Sequence, residues 1–110
     1  FAAHQQLNNL TFIIDLNNLQ SIKTTDDTIN MKPLAEKFNA FNFFVNQCDG
    51  HDFQSLKFNL AKKDIRRPAV LIARTIKGKG VSFMENNILW HYKFPTANEL
   101  KAALKELLHA

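Results

Sequence analysis

Three short segments carry the residue types that could do chemistry, and each follows an apolar run. Residues 15–19 hold a carboxylate and two amides, residues 48–52 hold two carboxylates and an imidazole, and residues 75–80 hold two lysines, each followed by a glycine. Carboxylate and amide oxygens suit a hard metal ion, and lysines suit phosphate. If the three segments meet, the sequence predicts a site for an anion and a hard metal ion.

The apolar runs before these segments are predicted to be the strands of a parallel sheet. They lie at residues 11–14, 43–45 and 69–73, and they are nearly continuous and rich in β-branched or aromatic residues. Such runs are typical of strands buried on both faces. Because ligands of open α/β sheets bind beyond the carboxyl ends of the strands, we expect the polar segments to share one edge of the sheet.

Apolar residues at helical spacing predict three helices. One follows Pro33, one follows Asp52 as its N-cap, and the last follows Thr96, which has capping-box spacing to Glu99. The order β-α-β-α-β-α predicts an α/β fold with a parallel sheet flanked by helices. Residues 1–7 also look helical but have no capping residue, so we expect the chain to be part of something longer.

Residues 74–95 lack strong periodicity yet are far from polar throughout. Loops longer than about 12–15 residues in compact domains are usually functional or disordered. The glycines after Lys77 and Lys79 would let the backbone approach a ligand, the two lysines would offer charges to phosphate, and His91 follows Trp90 in the same region. Five apolar residues are expected to anchor this loop against protein: Phe83, Met84, Leu89, Trp90 and Phe94.

Each of these features also has a more ordinary interpretation. Asn17 could form an Asx turn at the end of a strand, the two lysines could lie in an exposed turn, and His91 could be a surface or core residue. Asp52 is interpreted as a helix cap and His51 beside it as structural. Cys48, which has no base near it in sequence, is interpreted as a small buried residue.

Composition limits the class of protein. The chain has 110 residues, of which 45% are hydrophobic and ten are Phe, so a disordered tail is excluded. No apolar stretch approaches about 18 residues, so no membrane span is expected. The single Cys excludes an internal disulfide and favours a cytoplasmic protein. The net charge of +4 is spread along the chain, so we do not expect nucleic-acid binding.

Five strings, taken in order, carry a family resemblance. They are FAAH at 1–4, IIDLNNLQ at 13–20, DGHD at 49–52, TIKGKGVSFME at 75–85 and WH at 90–91. Together they resemble the N-terminal, thiamine-diphosphate-binding domain of the transketolase family, including bacterial members split into two subunits. The resemblance covers nearly the whole chain. It implies that residues 1–110 form a single partial domain, similar to the C-terminal half of that diphosphate-binding domain.

The resemblance implies a thiamine diphosphate cofactor bound through a divalent cation, Mg²⁺ or Ca²⁺. Asn17 matches the asparagine that ligates this cation, and Leu19 matches the position whose backbone carbonyl does the same. Lys77 matches a lysine close to cofactor and substrate. His91 matches a histidine that reaches the diphosphate and the reacting end of the substrate, and is therefore the expected catalytic residue. Asp15 is expected to buttress the loop.

The implied activity is transfer of a two-carbon ketol unit from a ketose phosphate to an aldose phosphate, as in the pentose phosphate pathway. The implied partners are sugar phosphate substrates and a pyrimidine-binding domain or subunit of a transketolase, in a dimer or heterotetramer, with neither nucleic acid nor membrane. The Gly-Asp-Gly that opens the family's metal motif is not in this chain. The chain alone is therefore expected to be inactive.

Two departures from the family pattern keep alternatives open. Tyr92 follows the Trp-His pair where the family usually has a glycine soon after, and residues 21–27 lack an expected glycine. One alternative within the class is a 1-deoxyxylulose-5-phosphate synthase or a sugar-modifying relative of transketolase. Another is a non-catalytic binding or assembly module that retains the fold. A nucleic-acid-binding role rests on charge alone.

Overall fold

The computed structural model describes residues 1–21 and 23–108, which form five strands, four α-helices and a 3₁₀ helix. In chain order these are β1 (Thr11–Leu16), β2 (Leu19–Gln20), β3 (Lys23–Thr24), α1 (Thr25–Thr28), α2 (Leu34–Ala40), β4 (Phe44–Asp49), α3 (Phe53–Ala61), β5 (Ala69–Arg74), the 3₁₀ helix (Ile88–His91) and α4 (Ala97–Leu107). They belong to two compact units. The first contains Phe1–Leu16 and Asn30–Thr75, and the second contains Asn17–Ile29 and the described residues from Ile76 onward.

A parallel sheet in the order β1-β5-β4 forms the first unit, and α2 and α3 pack against β4. β5 is the central strand, and its side chains Val70, Leu71 and Ile72 are almost completely buried. An uninterrupted apolar strand is stable there because both of its edges are paired and both of its faces are covered. The predicted α/β fold, a parallel sheet flanked by helices, is confirmed.

The prediction that all three strands are buried on both faces is wrong for β1 and β4. β1 lies at the edge of the sheet, and the side chain of Ile13 is 60% exposed. β4 extends well beyond the predicted run at 43–45, because its backbone continues to pair with β5 as far as Asp49. Cys48 and Asp49 therefore end the strand instead of following it. Cys48 is buried against Leu71, as interpreted from the sequence.

The three predicted helices are present as α2, α3 and α4. The Asp52 side chain accepts a hydrogen bond from the Gln54 amide at 2.9 Å, which makes it the N-cap of α3. The predicted helix at residues 1–7 is wrong, since these residues form turns that end at Gln6, whose φ is +50°. A single turn without a cap lacks the interactions that offset the cost of helix nucleation.

The second unit contains three features that the sequence analysis did not predict: the β2–β3 hairpin, the short helix α1 and the 3₁₀ helix. Thr24 caps α1 by accepting a hydrogen bond from the Asp27 amide at 3.2 Å. The loop after β5 is attached to α4, because the Ser82 amide and hydroxyl both donate to the Glu106 carboxylate. No helix in the described part of the chain is long and apolar enough to cross a membrane.

Candidate functional site

A cavity of about 140 Å³ lies within the second unit. Its walls come from the segment after β1, from the start of the loop after β5 and from the 3₁₀ helix. The lining residues are Asn17, Leu19, Gln20, Ser21, Lys77, Ile88 and His91. The structure therefore brings together the four residues proposed from sequence for metal, cofactor and catalysis: Asn17, Leu19, Lys77 and His91.

Asn17 forms an Asx turn, in which its Oδ1 accepts a hydrogen bond from the Leu19 amide at 3.0 Å. Asn17 therefore does form the Asx turn that was its ordinary interpretation. This hydrogen bond does not use the full accepting capacity of its Oδ1. An amide oxygen has two lone pairs, so Oδ1 can accept one further ligand. The turn fixes the Asn17 side chain relative to the Leu19 backbone, and Asn18 between them has a φ of +60°.

The hairpin leaves the backbone of Leu19 directed away from its partner strand. The Thr25 amide donates to the Asn18 carbonyl at 3.0 Å, so that pair is hydrogen-bonded across the ladder. Bonded and non-bonded pairs alternate along antiparallel strands. Leu19, which lies opposite Thr24, therefore occupies a non-bonded position. A side-chain oxygen and a backbone carbonyl two residues apart are thus available as oxygen donors.

Lys77 lines the cavity, and a tight turn fixes its backbone. Its carbonyl accepts a hydrogen bond from the Asn86 amide at 2.9 Å. The next residue, Gly78, has a φ of +74°, and a Cβ there would lie 2.5 Å from the Met84 carbonyl oxygen. This glycine therefore allows close approach of the chain to itself. Within residues 1–21 and 23–108, the Lys77 ammonium forms no ion pair, which leaves its charge for an anion.

Lys79 does not line the cavity, contrary to the expectation that both lysines would serve a phosphate. Its Nζ lies 3.8 Å from Oε1 of Glu85, and the same oxygen accepts a hydrogen bond from the Gly80 amide at 3.1 Å. Glu85 thus closes the turn and neutralises Lys79. The two Lys-Gly pairs look alike in the sequence. Glu85, which pairs with Lys79 and makes the two lysines differ, is six residues away from Lys79.

His91 is the last residue of the 3₁₀ helix, which is firmly attached to the preceding loop. The indole Nε1 of Trp90 donates to the Phe83 carbonyl at 3.0 Å, and the Asn87 side chain donates to the same oxygen at 3.2 Å. The Trp90 and Phe83 rings are also in contact, with centroids 5.3 Å apart. These contacts hold the backbone at His91 while leaving its imidazole exposed at the cavity.

The expected apolar anchors of this loop divide into two groups. Phe83, Met84 and Trp90 are at least half-buried, as predicted. Leu89 and Phe94 are 69% and 89% exposed, so the prediction is wrong for them. The sequence could not separate the groups, because all five are large and apolar and the loop has no period that defines a buried face.

Three lining residues were given no role from the sequence. Gln20 and Ser21 follow Leu19 and contribute an amide and a hydroxyl, and Ile88 contributes an apolar wall. Knowledge of the hairpin that starts at Leu19 would have indicated that Gln20 and Ser21 line the cavity. Strands of two residues, however, leave no periodic signal in the sequence. Ile88 becomes identifiable only when the helical turn before His91 is known.

The remaining polar residues at the strand ends lie in the first unit, where they stabilise backbone. The Thr75 hydroxyl donates to the Asp15 carboxylate, and the Thr75 amide donates to the Leu16 carbonyl at 3.3 Å, so Asp15 ties the end of β1 to the end of β5. The buttressing role expected for Asp15 thus has a structural counterpart. Asp49 accepts a hydrogen bond from the His51 amide at 2.8 Å and closes its own turn.

Cys48 is not an activated nucleophile. Burial and the nearby carboxylates of Asp49 and Asp52 raise the pKa of its thiol. A thiol with a raised pKa holds little of the reactive thiolate at neutral pH. The structure therefore supports the interpretation of Cys48 as a core residue.

The chemistry of the cavity fits a diphosphate group together with a hard cation. Asn17 Oδ1 and the Leu19 carbonyl are oxygen donors, and Lys77 and His91 can face an anion. Ligand pockets usually measure about 300–1,000 Å³, so this cavity suits part of a cofactor more than a whole one. The described residues contain no group of three or more His, Cys, Asp or Glu side chains arranged to hold a metal ion. A cation here would need diphosphate oxygens and water to complete its coordination.

Comparison with known proteins gives consistent similarities. A family profile described as "Transketolase, thiamine diphosphate binding domain" matches residues 1–108. The chain is 40% identical over 107 residues to an apulose-4-phosphate transketolase subunit of Actinobacillus succinogenes, covering 96% of this chain and 39% of that protein. It is 33% identical over 109 residues to a 6-deoxy-6-sulfo-D-fructose transketolase subunit of Clostridium sp., covering 97% of this chain and 40% of that protein.

A solved structure shares the fold. Transketolase from Campylobacter jejuni superposes with a TM-score of 0.72 at 21% identity, and the match covers 98% of this chain and 21% of the other. By length, the chain spans about two fifths of each of the two curated transketolase subunits described above.

Proposed function

This chain belongs to the transketolase family, in its thiamine diphosphate binding domain, and on that basis we propose that it is the diphosphate-binding part of a two-subunit transketolase. In this proposal the assembled enzyme transfers a two-carbon ketol unit from a ketose phosphate to an aldose phosphate. The observation that supports it is the convergence of Asn17, Leu19, Lys77 and His91 on one cavity, although they come from three segments that are separated in sequence.

The two oxygen donors are assigned to the cation. Asn17 Oδ1 and the Leu19 carbonyl would hold Mg²⁺ or Ca²⁺, and the cation would supply positive charge for the diphosphate of the cofactor. The Asx turn orients both donors before the cation arrives, which lowers the ordering cost of binding. Magnesium and calcium both accept such oxygen ligands.

Lys77 and His91 are assigned to the anion and to the substrate. Lys77 places an ammonium charge against the diphosphate or the substrate phosphate, where no carboxylate of the described chain neutralises it. His91 donates a hydrogen bond to a hydroxyl of the donor sugar or to oxyanion charge that develops in the transition state. Thiamine diphosphate, when bound, supplies the carbanion chemistry, and these residues supply orientation and charge.

A second subunit is part of the proposal. The two curated relatives are both named as subunits of transketolases. We assign to the partner the pyrimidine-binding site of the cofactor, in a dimer or heterotetramer. Apulose 4-phosphate and 6-deoxy-6-sulfo-D-fructose, the sugars in the names of those relatives, are the first donors to test.

The sharpest test of the binding site compares two lysines that are two residues apart. Thiamine diphosphate is titrated calorimetrically, with Mg²⁺ present, into the partner subunit combined with the full-length subunit that contains this chain. Lys77→Ala should weaken binding about tenfold, because a hydrogen bond to a charged group contributes about 1.5 kcal/mol or more. Lys79→Ala should change the affinity less than twofold, since Glu85 already pairs with Lys79. Equal losses in both variants would contradict the assignment.

His91→Ala tests the catalytic assignment separately. Removal of a hydrogen-bond donor that acts on the transition state should lower kcat about 100-fold, while the Kd for thiamine diphosphate changes about threefold or less. Steady-state kinetics with the donor sugars and the same calorimetric titration give both quantities. Unchanged turnover would remove His91 from the catalytic machinery.

A further inference from the structure

The imidazole of His91 is in direct contact with the ring of Tyr92, the next residue in the chain. The ring centroids are 4.7 Å apart and the ring planes are inclined by 86°, which is an edge-to-face arrangement. Such aromatic pairs have a preferred geometry and are favourable beyond the area that they bury. The contact therefore restricts the orientations of the His91 side chain.

Neighbouring residues in a helix or strand do not face each other, so this contact needs a special backbone. The 3₁₀ helix ends at His91, and Tyr92 leaves it with a φ of −120° and a ψ of −19°. The amides of Tyr92 and Lys93 both donate to the Leu89 carbonyl, at 3.2 and 3.0 Å. These two hydrogen bonds hold the conformation that lets one ring meet the other.

The residues on either side of the pair are fixed as well. Trp90 is anchored to the Phe83 carbonyl, and the ammonium of Lys93 lies 4.5 Å from the centre of the Trp90 ring while it pairs with Glu99. His91 and Tyr92 thus lie between two immobilised side chains. Tyr92 itself is 64% exposed, so its ring is not required for the packing of the core.

We propose that Tyr92 is a positioning residue that holds the imidazole of His91 toward the cavity containing Asn17 and Lys77. The proposal rests on the proposed function, because it presumes that His91 acts on the substrate. Tyr92 is not among the described residues that line the cavity, so it acts through His91 and not on the ligand. The aromatic ring carries this role, and the hydroxyl is dispensable.

The orientation of His91 can be measured by NMR on the full-length subunit that contains this chain, without cofactor or partner. In the wild type, the His91 ring protons should show a ring-current shift, and the χ1 couplings should indicate one rotamer. Tyr92→Phe should keep both signatures, and Tyr92→Leu should lose the shift and average the rotamers. Phe94→Leu is the matched control, an exposed aromatic two residues further on, and it should change neither. An unchanged His91 rotamer in Tyr92→Leu would overturn the proposal.

Kinetics of the assembled enzyme provide the second measurement. Tyr92→Leu should lower kcat about two- to tenfold, the range expected for loss of one aromatic pair, and Tyr92→Phe should restore it. The Kd for thiamine diphosphate should change less than twofold in both variants. If the wild-type assembly has no turnover, the proposed function fails, and the NMR measurement still decides whether Tyr92 positions His91. Equal kcat in Tyr92→Leu and wild type would overturn the proposal.

Discussion

Gly78 has a backbone conformation that other residues rarely adopt, at a point where the chain lies against itself. Its φ is +74°, and the nearest atoms to a methyl group added there would be the carbonyl oxygen and carbon of Met84. Gly80, two residues further on, also has a positive φ of +92°, but a Cβ there would meet only the end of the Leu107 side chain at 3.1 Å. The two glycines share a conformational requirement and differ in available space.

Alanine substitutions should separate these two effects. Gly78→Ala should destabilise the chain by about 3 kcal/mol, because it combines a left-handed backbone with a clash against the Met84 backbone. Gly80→Ala should cost about 1 kcal/mol, since the Leu107 side chain can move. Urea denaturation gives both free energies of unfolding. Equal costs would show that conformation alone determines the effect, contrary to the contacts described above.

Individual site residues differ in how far the sequence could predict them. Asn17, Lys77 and His91 are recognisable because the motifs around them are specific, and the structure places them at one cavity. The difference between Lys77 and Lys79 was not predictable, because it depends on the position of the Glu85 side chain in the folded turn. Local sequence reports which residues are present, and tertiary structure decides which charges are neutralised.

Among the elements, β5 and β1 form a matched pair that differs mainly in burial. Leu71 of β5 and Ile13 of β1 are direct partners in the parallel ladder. Leu71 is 1% exposed and Ile13 is 60% exposed. Both were predicted to be buried, because an apolar run looks the same at the centre and at the edge of a sheet. The number of neighbouring strands, which the sequence does not encode locally, makes the difference.

Truncation of these two side chains should therefore have very different effects. Leu71→Ala should destabilise the chain by about 2–5 kcal/mol, because it leaves a cavity in the core. Ile13→Ala should cost about 1 kcal/mol or less, since much of that side chain is already in water. Chemical denaturation of both variants measures the difference. A large cost at Ile13 would mean that the exposed face of β1 is covered in solution.

The first turn of α4 depends on the charge of Glu99. A hydrogen bond from Lys93 and hydrogen bonds from the Thr96 amide and hydroxyl lower the pKa of Glu99 from 4.5 to about 2. A carboxylate with a lowered pKa stabilises the folded state above its unfolded pKa, and this contribution is lost as the pH falls through the folded pKa. The contribution of Glu99 should thus be complete above about pH 5 and absent below about pH 2.

Thermal unfolding of wild type and Glu99→Gln at several pH values tests this dependence. Glutamine retains a capping oxygen but cannot ionise, so it isolates the charge. The wild type should have the higher Tm above pH 4.5, and the two Tm values should converge as the pH approaches about 2. A Tm difference that stays constant over this range would show that the charge of Glu99 does not stabilise α4.

The described residues supply only part of the cation site that is proposed above. Asn17 and Leu19, which line the cavity, offer two neutral oxygen donors, and the described residues hold no group of three or more acidic, imidazole or thiol side chains arranged to hold a metal ion. Magnesium prefers six oxygen ligands and keeps its water readily. The cation is therefore expected to bind together with the diphosphate and not before it.

Calorimetry should reveal this coupling. Titration of Mg²⁺ into the assembled enzyme, with this chain inside its full-length subunit, should give no tight binding without cofactor, and the same titration with thiamine diphosphate present should give saturable binding. Chelation of the cation should then release the cofactor. Tight binding of Mg²⁺ alone would show that the polypeptide completes the coordination by itself.

The fold as a whole was predicted better than the contribution of each polar segment to the site. The order of strands and helices follows from hydrophobic patterns, and the α/β class is confirmed. The expectation that residues 48–52 would contribute to the site has no counterpart in the cavity of the second unit, because Asp49 and Asp52 serve a turn and a helix cap in the first. Hydrophobic patterns locate strands only approximately, as the longer extent of β4 shows, and they do not reveal which polar side chains form turns and helix caps.

The turn at residues 90–92 also gives the molecule an intrinsic optical probe. The sequence contains one tryptophan and one tyrosine, Trp90 and Tyr92, and they flank His91. Ultraviolet-excited fluorescence of the chain therefore originates almost entirely within one residue of the imidazole. Changes in emission report on this turn alone, so ligand arrival can be followed in real time without attaching a dye.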